Sequence, residues 1–182
     1  MLLITITGPS GAGKDTLAHI LQSVLDCNII VSYTTRPMRE GEEDGREHHF
    51  VSRCDVPRKD MIAYTRYGGY EYWATKDQIG QCSVYIIDED GLRYFSRHHP
   101  NIPVLKIYIT TPYKDICRRG VDIKRLQRDD GRELFPREYY DVWIDNNGTI
   151  EVLKEKVFAL RPVLLRRIAV TSKETAQKKH GK

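Results

Sequence analysis

The sequence predicts an α/β fold, a three-layer αβα arrangement around a parallel central sheet. Short apolar, β-branched runs alternate with helical patterns along the 182 residues, the order in which crossover helices join parallel strands. The first run, LLITIT, passes straight into a glycine-rich bend and then a helix. No repeat or low-complexity linker interrupts the chain, so one domain over 1–182 is expected.

Residues 2–7 read as a buried strand, and 14–25 as a helix with Leu17, Ala18, Leu21, Val24 and Leu25 at helical spacing. IIVSYTT, 29–35, reads as a second strand. Residues 36–53 are polar, charged and glycine-rich, an excursion from the sheet. The aromatic-rich stretch 60–75 predicts small antiparallel strands outside the main sheet. SVYIID (83–88) and PVLKIYIT (103–110) are further buried strands, the latter followed by a Thr-Pro helix start and a helix to 119. YDVWID, 140–145, is the last strand. Residues 150–168 form an amphipathic helix that Pro162 should kink or interrupt, and 171–182 should fray. The core is then 1–32, 81–117 and 133–170, with a mobile flap at 33–80 and a short basic lid at 118–132.

Composition bounds the function. Hydrophobic residues make up 40% and charged residues 30%, as in a soluble folded chain. A net charge of +4 suits anionic ligands but is too small to argue for nucleic acid. MLLITITGPSG lacks the basic start and long apolar run of a signal peptide, and no stretch is apolar enough to span a membrane. A cytoplasmic protein is expected, as a monomer or homodimer. Cys27, Cys54, Cys82 and Cys117 form no CxxC pair and read as free thiols. His48-His49 and His98-His99 lack metal-ligand spacing.

GPSGAGKDT, 8–16, carries the chemistry that is most local. G-x-x-x-x-G-K-x-T matches a phosphate loop (P-loop) through Gly8, Gly13, Lys14 and Thr16. Such glycines let backbone N–H groups of Ser10, Gly11, Ala12 and Gly13 turn around an anion, and the following helix points its positive end at the same place. Lys14 reaches the β and γ phosphates. Asp15 stands where a Ser or Thr hydroxyl usually meets Mg²⁺. Either it organises water around the metal or it is a first-turn carboxylate pointing outward.

VSYTTRPMREGEEDGREHHFVS, 31–52, is the most specific stretch. Arg36 and Arg39 lie three apart after a strand ending in hydroxyls, and two guanidinium forks suit a dianionic phosphate. This stretch resembles the nucleotide-binding segment of guanylate kinases, S-x-T-T-R-x-x-R-x-G-E-x-x-G-x-x-Y-x-F-V. YIIDEDG, IYITTP and KRL resemble later landmarks of that family more loosely.

The resemblance implies a P-loop fold with a small mixed or antiparallel NMP-binding insertion, and Mg²⁺-dependent phosphoryl transfer from ATP to GMP. It implies acceptor contacts by Ser32, Arg36, Arg39, Glu42, Tyr72, Thr75, Asp88 and Asp90, and catalytic roles for Lys14, Arg36, Arg118 and Arg125. Asp15, Thr16 and Asp88 are candidates to hold Mg²⁺ through water. Asp145, Asn146 and Asn147 either touch the donor adenine or form a plain strand-to-helix turn.

Departures from the family pattern gather around the base and the lid. His48 replaces a tyrosine; Ala63 and Tyr64 stand where a glutamate reads guanine; Ala74 replaces a glycine; and the lid is shortened. Glu71 is a candidate substitute for the lost carboxylate. Two alternatives stay open: another acceptor, whether a different NMP or ribose bisphosphate, or a catalytically silent guanylate-kinase-like interaction module. An intact phosphate loop argues against the latter.

Overall fold

β1 (Leu2–Thr7) is buried along its whole length, with Leu2, Ile4 and Ile6 in one core and Leu3 in another. Burial on both faces is what a central parallel strand needs, and it explains the unbroken run LLITIT. In this computed structural model, which describes residues 1–122, 126–127, 129 and 133–180 and side chains as far as Thr171, β1 lies between two parallel neighbours. These are β7 (Cys82–Ile86) and β8 (Val104–Thr110). With β2 (Asn28–Ile30) and β9 (Val142–Asp145) outside them, the sheet order is β2-β7-β1-β8-β9, all parallel.

Helices cover both faces. Leu17 and Leu21 of α1 (Lys14–Leu25) share a core with Leu153, Val157 and Leu164 of α4 (Ile150–His180). On the other face, Leu92 and Phe95 of α2 (Glu89–His98) pack with Leu3, Tyr85 and Ile87. The three-layer expectation is met. α3 (Tyr113–Arg118) is a short helix after β8. α4 runs through Pro162 without interruption and continues past the expected end to His180. Pro162 is exposed, whereas Val157 and Leu164 are buried on either side of it, so the packed face carries the helix across the missing N–H. Among the described residues no helix is long and apolar enough to cross a membrane.

A second sheet holds β3 (Tyr33–Thr34), β4 (His49–Phe50), β5 (Met61–Tyr67) and β6 (Tyr70–Thr75) in the order β4-β3-β6-β5. β3 and β4 pair parallel and the other pairs are antiparallel, so the sheet is mixed. Gly68 and Gly69, at φ 59° and 83°, make the two-residue turn between β5 and β6. The expected single strand 29–35 is therefore two strands in two sheets. The reason lies in the backbone partners: Asn28 to Ile30 pair with β7, while Tyr33 and Thr34 pair with Trp73 and Tyr72.

The cysteines also differ from expectation. Cys27 and Cys82 are joined in a disulfide, with Cα atoms 4.8 Å apart, while Cys54 and Cys117 are free. The register Asn28↔Ser83 sets the residues just before each strand partner side by side, a proximity invisible in a separation of 55 residues.

Candidate active site

The bend between β1 and α1 is braced from outside. The carbonyls of Gly8 and Pro9 accept from Lys14 Nζ, each at 2.9 Å. That of Gly11 accepts from Arg119 Nη1 at 2.8 Å, and that of Ala12 from Asn146 Nδ2 at 2.8 Å and Thr111 Oγ1 at 3.1 Å. Gly13, the residue before α1, has φ 94°, and a Cβ there would sit 2.6 Å from Asn146 Nδ2. A side chain at that position meets both a left-handed backbone and a filled space. At Gly8 a Cβ would run into the carbonyl oxygen of Ile109. With the Gly11 and Ala12 carbonyls taken by Arg119, Asn146 and Thr111, the bend is left to present amide hydrogens to an anion. One already holds an anionic group, since Ser10 N–H donates to Asp129 Oδ2 at 2.6 Å.

Across from the bend, Arg36 is buried to 7% exposure and spends its fork on Glu42, with Nη1–Oε2 at 2.8 Å and Nη2–Oε1 at 2.9 Å. Arg39 turns to the same carboxylate through its N–H at 2.8 Å, with Nη1 3.9 Å from Oε1. The two arginines therefore converge on one anionic point. Burial works against the Arg36 charge, but the bidentate pairing outweighs it and raises the pKa. Burial likewise opposes the Glu42 charge, and bonds from Arg36 and the Arg39 amide lower its pKa overall. Ser32 Oγ lies 2.8 Å from His48 Nδ1, and the His48 ring stands edge-on to Phe50 and Tyr72. Burial, then the nearby Arg36 charge, holds the His48 imidazole below its ordinary pKa.

Two cavities, of about 500 Å³ and 930 Å³, open on these groups. Ala63, Tyr64, Thr65, Tyr72 and Asp88 line the first, while Gly13, Asp15, Thr16, Arg119 and Asn146 line the second. Lys14, Ser32, Arg36, Arg39, His48 and Ile86 line both. In the first cavity Asp88 Oδ1 accepts from Thr65 Oγ1 at 2.9 Å and from Gly91 N–H at 2.7 Å, the latter bond capping α2.

Most residues singled out in the sequence come together here. Gly8, Ser10 and Lys14 line the first cavity, Gly11, Gly13, Asp15 and Thr16 the second, and Ala12 is buried behind the bend. Ser32, Arg36, Arg39, Tyr72, Asp88 and Asp90 reach the first cavity and Glu42 the second. Asp90 pairs with Arg93 at 2.8 Å. Thr75 lines neither cavity: it caps the turn Lys76–Gln78 together with Gln78, whose Oε1 accepts from the Thr75 N–H at 2.9 Å. Arg118 lines neither and pairs with Asp115 at 3.3 Å, since the last turn of α3 aims it outward; its neighbour Arg119 braces the bend. Arg125 lies outside the described residues. Glu71 lines neither cavity, being engaged by Tyr64 Oη at 2.7 Å and Arg58 at 3.5 Å. Asn146 braces the loop instead of ending a plain turn. The sequence reading missed Thr65, although it stands two residues beyond Ala63 on the same strand. Among the described residues no cluster of three or more His, Cys, Asp or Glu is able to hold a metal.

A strand, an amide-lined bend and a helix facing a paired-arginine pocket define an α/β P-loop protein of the kinase type. The guanylate kinase family profile matches residues 1–119, and this chain belongs to the guanylate kinase family. It is 33% identical to the guanylate kinase of Sulfurimonas denitrificans over 84% of this chain and 83% of that protein. It is 27% identical to that of Helicobacter pylori over 91% and 89%. The crystal structure of guanylate kinase from Anaplasma phagocytophilum shares the fold, with a TM-score of 0.61, 20% identity and coverage of 89% and 85%.

Proposed function

We propose that this chain transfers the γ-phosphoryl group of ATP to GMP, giving ADP and GDP. The observation that carries the reading is the junction where Lys14, Arg36 and Arg39 line both cavities. Phosphoryl transfer needs alignment and charge neutralisation more than covalent help from the protein. The loop amides and Lys14 hold the donor phosphates, once Asp129 leaves Ser10 and the ammonium leaves the carbonyls of Gly8 and Pro9. Arg36 and Arg39 hold the acceptor phosphate, whose oxygen is already a nucleophile. Glu42 braces the pair through both Nη atoms of Arg36 and the backbone N–H of Arg39.

Asp15 and Thr16, in the first turn of α1 and on the wall of the donor cavity, offer the oxygen chemistry that suits Mg²⁺ with its water shell. Bound there, the ion would neutralise phosphate charge. Asp88 has one carboxylate oxygen committed to Thr65 and Gly91, which suits it to orienting the acceptor more than to holding metal. Residues 33–80 act as the acceptor-binding insertion and 118–132 as a lid, with the rest of the chain as one core. The protein works in the cytoplasm as a monomer or homodimer.

One observation favours a second reading, a different acceptor on the same site. Ala63 offers no carboxylate to a guanine, and Glu71 is turned to Tyr64 and Arg58. ADP formation from ATP and Mg²⁺ should be measured with GMP, dGMP, AMP, UMP, dTMP and ribose bisphosphate. Turnover with GMP supports the first reading, and turnover with another acceptor alone selects the second. Lys14→Ala should lower kcat by about 100-fold or more in either case. No turnover with any acceptor, with Lys14→Ala indistinguishable from the parent, would overturn both.

A further inference from the structure

We infer that His48 is a ligand of the acceptor phosphate and takes up a proton as that phosphate docks. The inference rests on the acceptor reading above and adds to it a proton-linked contact.

His48 is one of six residues lining both cavities, so it stands where the two phosphorylated molecules would meet. Lys14, Arg36 and Arg39 stay cationic across the neutral range, and Ser32 and Ile86 stay uncharged. His48 alone of the six changes charge near neutrality. One ring nitrogen is already placed: Nδ1 meets Ser32 Oγ at 2.8 Å. Nε2 is the ring nitrogen that Ser32 Oγ does not engage. Phe50 and Tyr72 hold the ring on two sides, fixing its direction.

The charges around the ring set its response. Lys14 and Asp15 face it from the start of α1, and Arg36, Arg39 and Glu42 from the segment after β3. Glu47 precedes it in the chain and pairs with Arg46, while Tyr72 stands over it from β6. Burial and then the Arg36 charge lower the ring's pKa, and Glu42, Ser32 and Asp15 oppose them by less. A phosphate dianion arriving between Arg36 and Arg39 reverses that local balance. An opposite charge within about 4–6 Å raises such a pKa by about 1–3 units. The proton comes from solvent and rests on imidazole nitrogen, the phosphate stays dianionic, and the imidazolium gains a charge-assisted bond to it. The family pattern that this stretch resembles has tyrosine here; a phenol with a pKa near 10 would carry no such coupling.

The test is calorimetric titration of the full chain with GMP near pH 7.5 in two buffers of different ionisation enthalpy. GMP binding should take up a substantial fraction of one proton, and its affinity should fall by up to about tenfold per pH unit above neutrality. His48→Tyr should bind GMP with almost no uptake and a flatter pH profile. A carbon-13 titration of the wild-type imidazole, which needs no variant, should show the His48 pKa rising on addition of GMP. GMP binding with no proton uptake and an unmoved imidazole would overturn this inference alone. Absence of GMP binding at every pH would overturn the acceptor reading and this inference with it.

Discussion

Glu42 does more for Arg36 than any other residue, because it meets both prongs of a guanidinium that is only 7% exposed. Glu42→Ala leaves that charge buried without its partner. Breaking a buried pair from one side costs about 3–5 kcal/mol. Glu42 keeps 16% exposure and borders a cavity, so a value near the low end, about 3 kcal/mol, is expected. Denaturant unfolding of the variant checks it; an unchanged midpoint would show that water replaces the carboxylate. Arg36 and Arg39 were legible as a pair because their spacing is local. That Glu42 joins the Arg36 fork to the Arg39 backbone follows from the chain curling back after residue 39, which the segment REGEEDG only hints at.

Among the elements, the edge of the main sheet carries a covalent tie. The Cys27–Cys82 bond joins the start of β2 to the start of β7 across a separation of 55 residues. Closing a loop of that length stabilises by about 2–4 kcal/mol through the unfolded chain. The oxidised protein should therefore melt several degrees above the reduced one, and thiol titration in denaturant should rise from two groups to four on reduction. Equal melting temperatures would place the tie outside the stability of the fold. The strands, the phosphate loop and the amphipathic helices were readable because each depends on contiguous residues. The cysteine pairing and the Thr65–Asp88 bond were not, since they depend on which strands become neighbours. The split of 29–35 escaped notice for a related reason: IIVSYTT is strand-forming throughout, and the change of sheet is decided by partners far along the chain. Thr75 falls on a position of the family motif, but the local capping turn claims its hydroxyl.

For the molecule as a whole, His48, His99 and Glu42 are partly buried groups that make stability depend on pH. His48 and His99 lie below the ordinary imidazole pKa, burial being the first cause in each, with Arg36 beside the former and Lys76 and His98 near the latter. Unfolded, both would protonate near 6.5. Below that pH the unfolded chain binds more protons than the folded one, so stability falls as pH drops from about 6.5 toward the folded values. Glu42 runs in the same direction at lower pH: its contribution is present above about 4.3 and is lost as pH falls through its depressed folded value. Denaturant midpoints should be level above pH 7 and decline in two stages below it. A midpoint that rises on acidification to pH 5.5 would contradict this assignment.

The central claim is that two cationic cradles, one of loop amides with Lys14 and one of Arg36 with Arg39, hold two phosphorylated molecules end to end. A crystal structure of the full chain with a bisubstrate compound, adenosine and guanosine joined by a chain of phosphates, tests it most directly. The expected result places the adenosine-side phosphates in the bend from Gly8 to Thr16 and the guanosine-side phosphate between the two guanidiniums, with Glu42 still bracing them. An empty bend, or Arg36 and Arg39 directed away from that phosphate, would contradict the account.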